Sequence, residues 1–127
     1  MVTDDFTIPS GFQVKRAYEA PEPDDGYRVL ADRMWPRGVT KEAAHIDEWA
    51  KEITPSTELR RWFHEDPEGR RDEFADRYRE ELAVTASRVT LVRLRGLART
   101  KPPVTLVTAV KDPGRSHIPV LMQALGE

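Results

Sequence analysis

Polar and apolar residues alternate in two short segments near the start of the chain, residues 12–18 and 27–31. Alternation is typical of β-strands, because successive side chains of a strand point to opposite faces of the sheet. A third segment, residues 104–110, is almost continuously apolar and β-branched, which indicates a central strand covered on both faces. The hydrophobic pattern therefore predicts about three strands.

Helical spacing of apolar residues dominates most of the remaining chain. Thr54-Pro55 and Asp66-Pro67 each combine a capping side chain with a proline, which is typical of the first turn of a helix. From Phe74 to Leu82 every fourth residue is apolar or aromatic, which predicts one buried stripe. Residues 87–100 form another amphipathic segment, and a serine can cap a last helix over residues 116–125.

Residues 44–53 fit two patterns. Ile46, Trp49 and Ile53 keep helical spacing, and Thr40 can cap a helix that starts just before them. Residues 44–48 can equally be extended. The hydrophobic pattern leaves both interpretations open.

The order of these elements is strand, strand, several helices, strand, helix. This order predicts a single small α/β domain over residues 12–127, with a short, largely parallel sheet of about three strands flanked by helices. Residues 1–11 are polar and acidic and are interrupted by Pro9, so we expect a flexible tail there.

Composition excludes several classes of function. With 127 residues and a formal net charge of −2, the chain has no overall basic field to favour non-specific binding to nucleic acid or to an anionic membrane. The absence of cysteine excludes disulfides, thiolate metal sites and cysteine nucleophiles. No signal peptide is recognisable, and no apolar run approaches the ~18 residues that a membrane span needs. We therefore expect a cytoplasmic protein without a membrane partner.

The stretch from Asp32 to Gly38 directly follows the second predicted strand and carries the clearest candidate chemistry. It contains Asp32, Arg33, Trp35 and Arg37, and its proline and glycine indicate a turn. Loops at the carboxyl ends of strands are the usual ligand sites of open α/β sheets. Two guanidinium groups at such a place predict an anionic ligand, because their planar forks match carboxylate or phosphate oxygens.

A second charged loop follows the third predicted strand. If these strands are parallel, both loops lie at one edge of the sheet, and the free N–H groups of the last helix add to the attraction for an anion. The second loop contributes Lys111, Asp112, Arg115, Ser116 and His117.

These residues suggest separate roles. Asp32 or Asp112 is a candidate general base, and His117 is a candidate acid or base near neutral pH. The other six are candidate ligand-binding residues, namely Arg33, Trp35, Arg37, Lys111, Arg115 and Ser116. The alternative is a structural ion network in which Trp35 only packs and Asp112 only forms a turn.

The rest of the sequence narrows the function further. The three histidines are scattered without metal-ligand spacing, so we expect no metal site. No glycine-rich phosphate loop is present, and no cofactor is expected. The sequence predicts a pocket for a phosphate, nucleotide or carboxylate, and an acid–base hydrolase or transferase is the type of enzyme that its candidate residues fit. The alternative is a non-enzymatic module that docks a protein or single-stranded nucleic acid through Trp35 and the arginines.

Several segments together resemble those of a known family. The segments are Val14–Tyr18, Asp25–Gly38, Glu48–Ser56, Phe74–Leu82, Val110–Asp112 and Ser116-His117. In this order they are similar to the YeaO-like branch of the domain-of-unknown-function family numbered 488. The resemblance extends over about residues 13–125, and the run Asp-Arg-x-Trp-Pro-Arg-Gly is its most specific part. It implies a compact α/β fold and a bacterial cytoplasmic protein, and it brings no assigned activity, substrate or catalytic residue.

Overall fold

Four strands form one sheet in the computed structural model, which describes residues 6–127. They are β1 (Phe12–Arg16), β2 (Tyr27–Leu30), β3 (Glu48–Trp49) and β4 (Val104–Thr108), in the spatial order β1-β4-β2-β3. All three pairings are parallel, and Leu106 of β4 lies between Val14 and Val29 of its two neighbours. The α/β fold class is confirmed, and the carboxyl ends of all four strands meet at one edge of the sheet.

The fourth strand is β3, which lies in the segment that fitted two patterns. Thr40 caps the short helix α1 (Lys41–Ala44), because its side chain accepts a hydrogen bond from the N–H of Ala43 at 3.0 Å. The two-residue strand β3 follows, and then a single 3-10 turn over Lys51–Ile53. A strand of two residues is too short to show alternation, so the sequence pattern does not reveal it.

The longer helices occupy the segments with helical spacing. They are α2 (Thr57–Glu65), α3 (Arg71–Leu82), α4 (Thr85–Thr100) and α5 (Ile118–Leu125), and two further 3-10 turns cover Pro23–Asp25 and Pro113–Arg115. Ser56 begins α2 as its cap, since its hydroxyl accepts a hydrogen bond from the N–H of Leu59 at 3.2 Å. Among the described residues no helix is both long and apolar enough to cross a membrane.

The main hydrophobic core lies between one face of the sheet and helices α2 to α5. Val29, Val104 and Leu106 supply the sheet side of this core, and Tyr78 and Leu121 are fully buried on the helix side. Burying side chains of this size contributes about 1.5–3 kcal/mol each, which makes this packing the main source of stability.

The opposite face of the sheet carries a buried ion pair. Asp25 and Arg28 are each only 3% exposed, and the Arg28 Nη1 donates a hydrogen bond to the Asp25 Oδ2 at 2.6 Å. The Arg28 Nε and Nη2 both donate to the carbonyl of Ala44, and Lys15 contacts the Asp25 carboxylate at 3.1 Å. Every charge in this group therefore has a partner, which offsets the cost of its burial.

The segment before β1 was predicted to be a flexible tail over residues 1–11. Residues 1–5 of that prediction lie outside the described part of the chain. Phe6 and Ile8 pack against the core, and the Pro9 carbonyl accepts a hydrogen bond from the N–H of Phe12 at 3.1 Å. The packed part of the chain thus begins before β1.

Candidate functional site

A cavity of about 320 Å³ lies at the carboxyl edge of the sheet. The loop after β2 forms one wall, the loop after β4 forms a second, and α2 supplies a third. The walls of the cavity thus include both loops that the sequence predicted to come together. They bring together six of the nine predicted site residues, which are Asp32, Arg33, Trp35, Arg37, Ser116 and His117.

Asp32 connects the two loops. Its Oδ1 accepts a hydrogen bond from the hydroxyl of Thr108, and its Oδ2 accepts one from the N–H of Ala109, both at 2.7 Å. The side chain is 13% exposed, and no other carboxylate lines the cavity among the described residues. Both carboxylate oxygens are therefore engaged in holding the cavity together.

His117 lies under the cavity, at the start of α5. Its Nε2 lies 2.6 Å from the carbonyl oxygen of Ala31 and 3.6 Å from the Asp32 Oδ1. Burial lowers the pKa of His117, and the Arg60 and His64 charges lower it further, against the opposing effects of Asp32 and the Ala31 carbonyl. A neutral imidazole has one N–H, so the short contact with a carbonyl places that proton on Nε2 and leaves Nδ1 as an acceptor.

Three arginines line the cavity. Arg33 is held by the segment just before α2, because its Nε donates to the carbonyl of Pro55 at 3.3 Å and its Nη2 donates to the carbonyl of Thr54 at 3.2 Å. Arg37 is exposed at the opening, where its own carbonyl accepts a hydrogen bond from the Tyr18 hydroxyl at 3.2 Å. None of the ion pairs among the described residues involves Arg33, Arg37 or Arg60. The cavity therefore carries an excess of positive charge.

Aromatic residues line the rest of the cavity. Phe63 of α2 and Phe74 of α3 stack with ring centroids 4.1 Å apart. Trp35 donates from its Nε1 to the carbonyl of Val39 at 2.6 Å and packs edge-on against Trp49 at a centroid distance of 5.5 Å. Trp35 is thus both a wall of the cavity and part of the packing of its loop.

The remaining predicted residues lie outside the cavity walls. Lys111, Asp112 and Arg115 are exposed and are not among its lining residues, and Arg115 pairs instead with Glu68.

Ser116 lines the cavity, but its hydroxyl donates to the carbonyl of Pro113 at 2.7 Å and accepts from the N–H of Ile118 at 3.1 Å. The serine hydroxyl is therefore already engaged by backbone groups just before α5, in which His117 is the N-cap residue.

Sequence reasoning missed the contribution of α2. Arg60 and His64 are one helical turn apart and both line the cavity. Their spacing was visible, but both residues sit in a segment whose apolar positions indicated only packing. Within residues 6–127 no group of three or more histidine, aspartate or glutamate side chains could hold a metal ion.

Comparison with known proteins shows a match to one protein family over nearly the whole chain. A family model described as "Inactive DUF488-N3 subclade" matches residues 11–127. An uncharacterised protein of Mycobacterium tuberculosis strain H37Rv is 48% identical over 113 residues, which cover 89% of this chain and 92% of that protein. The uncharacterised protein YeaO of Escherichia coli strain K12 is 44% identical over 109 residues, which cover 86% and 91%. No solved structure matches the chain.

Proposed function

The chain belongs to the YeaO-like, inactive DUF488-N3 branch of its family, and we propose that the cavity binds a small anion without transforming it. The observation that carries this proposal is the charge of the cavity walls. Among residues 6–127, Arg33, Arg37 and Arg60 line it without a carboxylate partner, and the one carboxylate on its walls in that range, Asp32, already accepts two hydrogen bonds. An anionic ligand would supply the missing counter-charge.

The expected ligand carries a phosphate or carboxylate group on a compact apolar or ring-shaped body. A volume of about 320 Å³ is at the lower end of the range for small-molecule sites, so a mononucleotide or an aromatic acid is closer in size than a dinucleotide. The aromatic walls formed by Trp35, Phe63 and Phe74 provide the apolar surface for such a body.

Binding is favoured over catalysis because the candidate acid–base groups are already engaged. Asp32 is hydrogen-bonded at both oxygens, the His117 Nε2 is directed at a backbone carbonyl, and Asp112 lies outside the cavity walls. The description of the family as inactive supports the same choice. A hydrolase or transferase remains the competing proposal, and formation of product from a bound ligand distinguishes it.

Docking of protein or single-stranded nucleic acid through Trp35 has less support. The indole N–H already donates to Val39, and one ring edge packs on Trp49, so the ring offers only part of its surface to a partner. The bacterial origin of the relatives supports a bacterial protein, and a cytoplasmic location stays a prediction.

A thermal-shift and calorimetric titration with three probes tests the proposal. The probes are inorganic phosphate, adenosine monophosphate and benzoate, each added to the wild-type chain and to Arg60→Gln. At least one probe is expected to stabilise the wild type saturably. Arg60→Gln should weaken the binding of that probe by about tenfold or more, because a charged hydrogen bond contributes about 1.5–3 kcal/mol.

Arg61→Gln is the matched control. Arg61 is the next residue of α2, is exposed, and is not among the lining residues of the cavity. It should bind the probe as the wild type does. Equal binding by Arg60→Gln and the wild type, or no saturable binding of any probe, would refute the proposal, and conversion of a bound probe would favour the enzymatic alternative.

A further inference from the structure

A second, smaller concavity lies between helices α3, α4 and α5 and shares no residue with the cavity at the sheet edge. Its volume is about 130 Å³, and we call it the three-helix groove. Its floor is apolar, and its rim carries three arginines. The floor consists of the buried residues Leu82, Leu91 and Val120, Ala83 and Ala124 lie beside it, and the polar lining residues that form the rim are Arg79, Arg88, Arg95, Gln123 and Glu127.

Helix α4 brings two of these arginines together. Arg88, Leu91 and Arg95 are three and seven residues apart, so they lie on one face of the helix. Arg79 reaches the groove from α3, where it donates hydrogen bonds to Asp76 and Gln123, both at 3.1 Å. Arg88 and Arg95 have no ion-pair partner among residues 6–127.

Arg95 has an unsatisfied hydrogen-bond donor. Its Nε is the one buried side-chain nitrogen or oxygen atom among residues 6–127 without a hydrogen-bond partner. A buried donor on a charged group is costly to leave unpaired, so native proteins rarely do so. An oxygen bound in the groove would give this guanidinium a partner after a small rotation of the side chain.

We propose that the three-helix groove binds a short-chain carboxylate. The carboxylate group would lie against Arg88 and Arg95, whose guanidinium forks match its two oxygens. A short aliphatic stem would cover Leu82, Leu91 and Val120 on the floor. A volume of about 130 Å³ is that of about four molecules of liquid water, which leaves room for an acid of about two to four carbons.

Glu127 lines the same groove, and none of the ion pairs within residues 6–127 joins it to the arginines. Its negative charge opposes the ligand. The variant Glu127→Gln should therefore bind a short-chain carboxylate more tightly than the wild type does.

Propionate is the probe, and the readout is the NMR signal of the Arg95 Nε–H in ¹⁵N-labelled protein. The signal is expected to shift saturably with propionate. Arg88→Gln should weaken the binding by roughly tenfold, because it removes one charged partner of the carboxylate. Arg99→Gln is the matched control, since Arg99 is exposed on the same helix and is not among the residues lining the groove. It should leave the binding unchanged.

Two results would overturn the proposal. The first is an Arg95 signal that does not respond to propionate. The second is equal affinity in Arg88→Gln and the wild type. Titration of Arg60→Gln with propionate distinguishes the three-helix groove from the cavity at the sheet edge, since that variant should bind propionate in the groove as the wild type does.

Discussion

Thr108 donates a hydrogen bond from its hydroxyl to the carboxylate of Asp32 at 2.7 Å. Thr108 is the last residue of β4 and is fully buried, whereas Asp32 belongs to the loop after β2. Together with the bond from the Ala109 N–H, this contact joins the two loops that form the cavity. The carboxylate that the sequence offered as a candidate base is thus a structural link between neighbouring strand ends.

Asp32→Asn should destabilise the protein by about 1–3 kcal/mol. An amide presents one oxygen and one NH₂ group, so it cannot accept from both Thr108 and Ala109, and one buried donor loses its partner. Urea denaturation followed by circular dichroism measures the change. Asp112→Asn is the control, because Asp112 is exposed and makes no side-chain hydrogen bond among residues 6–127, and it should leave the free energy of unfolding unchanged.

Thr108→Val completes the test of this link. The single variant should cost about 1 kcal/mol, and the double variant with Asp32→Asn should cost less than the sum of the two single changes. Additive costs would show that the hydroxyl and the carboxylate do not stabilise each other.

His117 should be neutral at pH 7, with its proton on Nε2. Burial is the largest cause of its lowered pKa, and the contact with the Ala31 carbonyl selects the Nε2–H tautomer. A long-range ¹H–¹⁵N spectrum of the imidazole distinguishes the two nitrogens. A protonated Nδ1 at pH 7 would contradict this assignment.

The same histidine should make stability depend on pH. The unfolded chain takes up a proton near the ordinary pKa of 6.5, while the folded His117 resists protonation. The free energy of unfolding should therefore fall as the pH drops from above about 6.5 towards the lowered folded pKa, and recover as the pH rises. Urea titrations at about pH 7.5 and about pH 5.5 measure the slope.

His117→Gln should flatten this slope, because glutamine keeps an N–H donor for Ala31 but does not titrate. His45→Asn is the control, since His45 is exposed and has a positive φ of 50° that asparagine tolerates. It should keep the wild-type slope. Equal slopes in His117→Gln and the wild type would assign the dependence to other groups.

Asp25 should contribute to stability at neutral pH and lose that contribution in acid. Burial alone would raise its pKa, but hydrogen bonds from the Glu22 N–H, Lys15 and Arg28 outweigh burial and lower the pKa below 3.8. A lowered folded pKa stabilises the protein above the unfolded pKa, and this stabilisation is lost as the pH falls through the folded value. Unfolding followed from about pH 7 down to about pH 3 measures the loss.

Asp25→Asn should lower the free energy of unfolding by about 3–5 kcal/mol at neutral pH, because it leaves the buried charge of Arg28 without its partner. Asp24→Asn is the control, since its side chain is exposed next to the same turn. If Asp25→Asn proves too unstable to study, the carboxyl ¹³C shift of Asp25 in the wild type reports its pKa directly. A value at or above 3.8 would contradict the prediction.

A ligand in the cavity should change the fluorescence of Trp35. The indole is part of the cavity wall, whereas Trp62 of α2 is not among the lining residues and has Arg70 and Arg77 over its ring. Trp35→Phe should remove the ligand-dependent change, and Trp62→Phe should retain it. A change that survives in Trp35→Phe would place the ligand elsewhere.

The sequence by itself determined the elements whose patterns are local. The proline-containing cap signals placed the starts of α2 and α3 too early, because Ser56 rather than Thr54 caps α2 and α3 begins only at Arg71. Alternation located β1 and β2, an almost continuous apolar run located β4, four-residue spacing located the buried stripe of α3, and the side chain of Thr40 marked the start of α1. Each of these signals lies within one helix or strand, so one segment of sequence is enough to show it. The family resemblance was also visible in the sequence, because a whole run of residues carries it.

Only the tertiary structure decided which charged groups meet. Lys111 and Arg115 follow a strand end as Arg33 does, yet they are not among the cavity's lining residues, while Arg60 enters it from a helix that shows only a packing pattern. Asp32 is bound by a hydroxyl and an N–H from residues 76 and 77 positions away. The physical reason is that hydrogen bonds and desolvation depend on groups distant in sequence, whose direction is fixed only when strands and helices pack.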